Sequence, residues 1–126
     1  MHAVKNLKIL VVDDFSATRT IVINHLIKLG YSNTVEAENG VSALAMLKSA
    51  IFDLVVTDCS LSDMSGLDLL KLIRADSDLK HIQVLMVTSE DLQGNIITAI
   101  KAGLNDYIVR PFEEYTFKQK LEKIFS

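Results

Sequence analysis

Four near-continuous apolar runs, KILVV at 8–12, DLVVTD at 53–58, VLMVT at 84–88 and YIVR at 107–110, alternate with stretches whose apolar residues recur at helical spacing. Apolar runs without period-two alternation are what strands buried on both faces of a parallel sheet require. A fifth run, TVEAE at 34–38, is more polar and suits an edge strand. Between the runs, Ala17, Ile21, Leu26 and Leu29 form a stripe that ends before Gly30, read as a left-handed cap, and Val41, Leu44, Ala45 and Lys48 follow the Asn39-Gly40 turn. Leu69, Leu70 and Ile73 mark a third helix, Ile96, Ile100 and Leu104 a fourth, and Phe117, Leu121, Ile124 and Phe125 a fifth.

Five βα units follow, and right-handed crossovers wind them into a doubly wound α/β fold with five parallel strands and five helices. For five strands the flavodoxin-like order 2-1-3-4-5 is the expectation, taken from known folds of this class rather than from the pattern itself. A chain of 126 residues that is 49% hydrophobic can bury one substantial core, so one domain over 1–126 is expected. The net charge of −3 argues against a nucleic-acid or anionic-membrane surface. Cys59 is the lone cysteine, which excludes an internal disulfide. The opening MHAVKNLKILVVDD reaches two carboxylates after four apolar residues, too few for a signal peptide or a membrane span, so a cytoplasmic protein is expected.

The chemistry gathers where such sheets bind ligands, at the carboxyl ends of the strands. Asp13 and Asp14, Asp58, Thr88 and Arg110 end four of the apolar runs. Pro111, the only proline, pushes Arg110 toward extended geometry at the end of its strand. Carboxylates about 4 Å apart repel by roughly 4 kcal/mol per pair at an effective dielectric near 20, so a cation is expected among them. Oxygen ligands with retained waters suit Mg²⁺. His2, His25 and His81 are scattered and read as solvated side chains. Taken singly, each carboxylate has a structural reading: Asp14 or Ser16 could cap a helix, and Asp58 could open a turn. A set of three ending strands, beside a hydroxyl and a guanidinium, is harder to obtain by chance.

LVVDDF, VVTDCSLSDMSGLDLLKLIR, VLMVTSE, AGLNDYIVRPF and KLEKIF together resemble the receiver domain of two-component response regulators, above all the single-domain chemotaxis regulators of the CheY type. The resemblance covers essentially the whole chain and includes the family's intervals from Asp58 to Thr88 and from Thr88 to Arg110. It implies a phosphoryl switch in which Asp58 takes a phosphoryl group from a histidine kinase or a small acyl phosphate. It further implies that Asp14, Asp58 and the Ser60 carbonyl hold Mg²⁺ with Asp13 acting through water, that Thr88 and Arg110 bind the phosphoryl group, and that Tyr107 swings inward as Thr88 moves. The Arg110-Pro111 peptide is implied to be cis.

The implied output face is the fourth helix, fifth strand and fifth helix, with Leu92, Ile96, Tyr107 and Lys120 on it. Its partner in the family is a flagellar motor switch protein; a monomer that binds neither nucleic acid nor membrane is expected. Arg110 stands where receivers carry lysine, and a reading in which it points to solvent and pairs with Glu113 or Glu114 stands beside the functional one. Leu92 and Gln93 stand where these regulators usually carry lysines, a departure from the family pattern on the implied motor-binding face. Ser60 and Glu90 occupy positions that influence dephosphorylation in the family. Cys59, beside Asp58, reads as a packed small residue rather than a redox sensor.

Two further readings stand: a phosphate sink or atypical receiver with weakened switching, and, from another class, an aspartyl-phosphate phosphatase. The phosphatase family places its two aspartates as D-x-D, whereas VVDDFS has them adjacent. With no Gly-rich P-loop, no G-x-S-x-G and no zinc pattern, turnover of an external substrate is not expected, only self-phosphorylation and autodephosphorylation.

Overall fold

The computed structural model describes residues 6–89 and 93–126, and the side chains of 93–95 lie outside the description. Its elements alternate: β1 (Ile9–Val12), α1 (Ser16–Lys28), β2 (Thr34–Ala37), α2 (Gly40–Ser49), β3 (Leu54–Asp58), α3 (Gly66–Ala75), β4 (Gln83–Thr88), α4 (Gln93–Lys101), β5 (Asp106–Val109) and α5 (Glu114–Ile124). The strands are parallel in the order β2-β1-β3-β4-β5, as expected, with TVEAE at one edge and β5 at the other.

Strand alternation splits the apolar runs between two cores. Leu10, Val12, Val55, Val84 and Met86 face α2, α3 and α4 through Ala43, Leu47, Leu69, Leu70, Ile73 and Ala99. Ile9, Val11, Leu54, Val56, Leu85, Val87 and Ile108 face α1 and α5 through Val22, Leu26, Phe117 and Leu121. Both faces of the central strands are buried, which is why their sequences show no alternation.

The helices exist where the spacing predicts them, but three inward faces are rotated from the predicted stripes. Ile21, Val41 and Ile100 are exposed, and the buried positions are Val22 and Leu26 in α1, Ala43 and Leu47 in α2, and Ile96 and Ala99 in α4. A helix against a sheet needs small residues where the backbones approach, so alanine takes inward positions that a search for large apolar residues passes over. Gly30 has φ +96°, as its reading as a left-handed cap requires. The N-cap of α1 is Phe15 rather than Asp14 or Ser16, and no side chain caps it. Asp13 instead accepts the Phe15 N–H at 2.9 Å. Asn39 forms a capping box with Ser42 at the start of α2. No described helix is long and apolar enough to cross a membrane.

Candidate phosphoryl-acceptor site

Parallel strands ending in register bring Asp13, Asp14 and Asp58 together: one carboxylate oxygen from each lies within 4.8 Å of the others. Asp13 is 3% exposed. Burial raises its carboxyl pKa above the ordinary value, and the charges of Asp58 and Asp14 add to the rise, against the lowering by the Phe15 N–H and Arg110. Asp58 accepts the Cys59 N–H at 2.8 Å through Oδ1.

Arg110 faces this cluster. Its Nη1 lies 3.6 Å from Asp13 Oδ2 and its Nη2 3.5 Å from Asp58 Oδ1, with the side chain 26% exposed. The solvent-facing alternative with Glu113 or Glu114 is thereby set aside. Nη1 is buried and has no hydrogen-bond partner among the described residues. The Arg110 N–H donates to the Thr88 carbonyl at 2.7 Å, which fixes the end of β5 beside β4. The Arg110-Pro111 peptide is cis.

Thr88 is buried at the end of β4, and the Cys59 thiol lies 3.5 Å from its hydroxyl. Cys59 is half-buried, in keeping with a packed small residue. Ser60 sits in a closed loop: it bridges to Ser65, Leu61 N–H donates to the Met64 carbonyl at 3.0 Å, and Gly66 N–H donates to the Cys59 carbonyl at 2.9 Å. A side chain on Gly66 would come within 2.4 Å of the Asp58 backbone oxygen, so α3 can begin this close to Asp58 only from glycine. The tip of the loop is pinned from across the molecule, because the Asp63 carboxylate accepts the Gly40 and Val41 N–H groups of α2 at 2.8 and 2.9 Å.

The three acidic side chains are acceptor-only oxygen donors, and burial, with a smaller push from the charges of Asp58 and Asp14, keeps the Asp13 carboxyl pKa raised despite Arg110. That donor set fits a hard divalent cation such as Mg²⁺.

On the implied output face the structure divides the residues. Tyr107 is half-buried and packs on the core formed with α2, α3 and α4. Lys120 places its Nζ 5.2 Å from the Tyr107 ring centroid. Leu92 lies outside the described residues, as does Glu90. Ile96 is corrected: it is 7% exposed and lines a cavity of about 260 Å³ with Cys59, Met86 and Thr88, while the exposed isoleucines of α4 are Ile97 and Ile100. The reason is helical phase, since Ile96 and Ala99 share the inward face. His25 is also corrected, because it packs against Phe112 and Phe117 with ring centroids at 5.2 and 6.0 Å rather than standing in solvent. Asp63 and Asp106 escape the sequence reading. For Asp106 a signal was present, an aspartate opening an apolar strand against the usual strand preference.

The model of the response regulator receiver domain matches residues 9–122. Chemotaxis protein CheY-3 of Vibrio cholerae serotype O1 is 57% identical over 122 residues, covering 97% of this chain and 94% of the relative. Chemotaxis protein CheY of Pseudomonas aeruginosa is 52% identical over 120 residues, covering 95% and 97%. Among solved structures, the receiver domain of the sensor histidine kinase PA1611 from Pseudomonas aeruginosa, with a magnesium ion coordinated in its active-site cleft, superposes with a TM-score of 0.84 at 27% identity, covering 96% of this chain and 99% of that one. With the fold, the acidic triad at the strand ends and these matches in agreement, the chain belongs to the response regulator receiver family and is homologous to the CheY chemotaxis regulators.

Proposed function

We propose that Asp58 accepts a phosphoryl group from the phosphohistidine of a partner kinase or from a small acyl phosphate, and that the phosphorylated chain signals by altered binding at the α4-β5-α5 face. The observation that carries this reading is the convergence of Asp13, Asp14 and Asp58 opposite an Arg110 whose buried Nη1 lacks a hydrogen-bond partner among the described residues. A carboxylate oxygen of Asp58 forms the new O–P bond as the P–N bond to the kinase imidazole breaks. The bond's electron pair stays on that nitrogen, which leaves as neutral imidazole when its second nitrogen carries a proton. Such a loose transition state asks the protein for positioning and charge stabilisation.

Asp13, Asp14, Asp58 and the Ser60 carbonyl would hold Mg²⁺, which supplies charge neutralisation between the carboxylates and the incoming phosphoryl oxygens. Arg110 donates to those oxygens from its free N–H groups, and the Thr88 hydroxyl hydrogen-bonds the new phosphoryl group. Tyr107 is paired with Met86 in the β4-β5 register, two residues before Thr88, so a shift of Thr88 reaches the tyrosine along one face of the sheet. The relatives' chemotaxis names support a chemotaxis output, with a flagellar motor switch protein as the partner that the resemblance implies, in the cytoplasm and with a monomeric regulator.

The test is intact-mass measurement after incubation with Mg²⁺ and acetyl phosphate. One phosphoryl adduct per chain is expected, absent from Asp58→Asn. An undiminished adduct in that variant would place the acceptor elsewhere, and sustained phosphate release from generic esters would favour the phosphatase reading.

A further inference from the structure

One buried carboxylate has no part in the acceptor site. Asp106 opens β5, the edge strand, and is 8% exposed. Its Oδ1 accepts the Tyr107 N–H at 2.8 Å and Lys120 Nζ at 3.1 Å. Its Oδ2 lies 3.7 Å from Lys123 Nζ and has no hydrogen-bond partner among the described residues. Asp106 and Tyr107 are consecutive strand residues and project to opposite faces. Yet the Lys120 ammonium that pairs with Asp106 also lies 5.2 Å from the centroid of the Tyr107 ring. It therefore reaches around the sheet edge, with the carboxylate on one side and the aromatic face on the other.

A carboxylate this buried needs a cation. Lys123, with 76% of its side chain exposed, is loosely placed, whereas Lys120, at 29%, is held. A lysine stem has many rotamers, and Asp106 selects the one that puts the ammonium against the ring, where cation and ring quadrupole attract. An inward swing of Tyr107 would forfeit that contact.

We propose that Asp106 is a positioning residue for Tyr107: by anchoring Lys120 against the ring it weights the tyrosine toward the orientation seen here. Phosphorylation must overcome that weighting before the output face changes. The inference rests on the reading above that Tyr107 moves when Asp58 is phosphorylated.

The experiment uses the full chain with Mg²⁺, titrated with beryllofluoride, a phosphoryl mimic, while amide and ring NMR signals of Tyr107 are followed. Asp106→Asn keeps an acceptor for the Tyr107 N–H but removes the charge that holds Lys120. Lys120→Met removes the ammonium and leaves Asp106 with Lys123, and it answers the question should the first variant fail to fold. Each variant is expected to bind beryllofluoride about two- to five-fold more tightly, the equivalent of one cation–π contact. Their Tyr107 signals before titration should lie part-way toward the bound form, and the double variant should gain no more than either single one. Unchanged affinity and unchanged Tyr107 signals in the variants, or effects that simply add, would overturn this inference alone. A Tyr107 that ignores beryllofluoride in the unaltered protein would overturn the switch reading as well.

Discussion

Two partly buried arginines sit at different ends of the sheet, and their surroundings differ in kind. Arg74, in the last turn of α3, donates to the carbonyls of Gly103, Ile82 and Lys80 and to Asn105 Oδ1, all between 2.6 and 3.0 Å. Asn105 Oδ1 in turn accepts the Val84 N–H at 2.7 Å, so the guanidinium ties α3 to the start of β4 and to the turn before β5. Burial lowers the Arg74 pKa from its ordinary value, and neutral oxygens offset that burial with hydrogen bonds. Arg110 has the opposite arrangement: carboxylates at 3.5 and 3.6 Å and a buried Nη1 without a hydrogen-bond partner among the described residues. A saturated cation locks structure, whereas an unsaturated one beside repelling carboxylates retains capacity for a ligand.

The largest expected effect breaks the saturated side. Arg74→Ala should cost about 3 kcal/mol in urea unfolding, since it strands several carbonyls at once. Acetyl phosphate should still label the folded variant at Asp58; loss of labelling with the fold intact would erase the distinction between the two ends.

Next in size, Mg²⁺ at about 100 times its dissociation constant should stabilise the native protein by roughly 2.7 kcal/mol, seen as a rise in melting temperature. Asp14→Ala should lose most of that rise, and equal rises in both proteins would put the ion elsewhere.

Arg110 variants sharpen the comparison further. Arg110→Lys should keep phosphorylation at Asp58 and enlarge the beryllofluoride-induced NMR shifts of Thr88 and Tyr107, because an ammonium is compact where a guanidinium is broad and planar. Arg110→Ala should diminish those shifts. Equal amplitudes in all three proteins would make Arg110 a bystander.

The smallest effect concerns Asp13. Its folded pKa is raised, so in Mg²⁺-free buffer the native state takes up a proton before the unfolded chain does, and stability increases as pH falls through that raised value toward the ordinary carboxylate pKa, below which the gain is complete. Asp13→Asn should therefore melt somewhat higher at pH 7 and show a flatter dependence over that window. A lower melting temperature would mean that the ionised carboxylate contributes more through its bond to Phe15 than it costs by burial.

The apolar runs made the strands legible, because strands buried on both faces leave continuous apolar sequence, and the strand ends then exposed Asp13, Asp14, Asp58, Thr88 and Arg110 as a group. The inward helix faces were less legible. Ala43 and Ala99 are almost fully buried, while Ile21, Val41 and Ile100 are exposed, so residue size misreports the phase of a helix against a sheet. Long-range polar ties were not legible at all: Asp63 meets α2 more than twenty residues away in sequence, and Arg74 meets Gly103 and Asn105 across α4. No local periodicity encodes such contacts. Asp106 lay between, since its misfit in a strand was visible but its partner Lys120, one helix later, was not.

The central claim is that ligand-binding capacity lies at the Arg110 end and structural closure at the Arg74 end. Amide NMR of the Mg²⁺-bound protein before and after beryllofluoride tests it most directly. Large shifts are expected at Asp58, Thr88, Tyr107 and Arg110, with Val84, Gly103 and Asn105 nearly unmoved. Shifts centred on the Arg74 network, or no Mg²⁺-dependent response at Asp58, would contradict it.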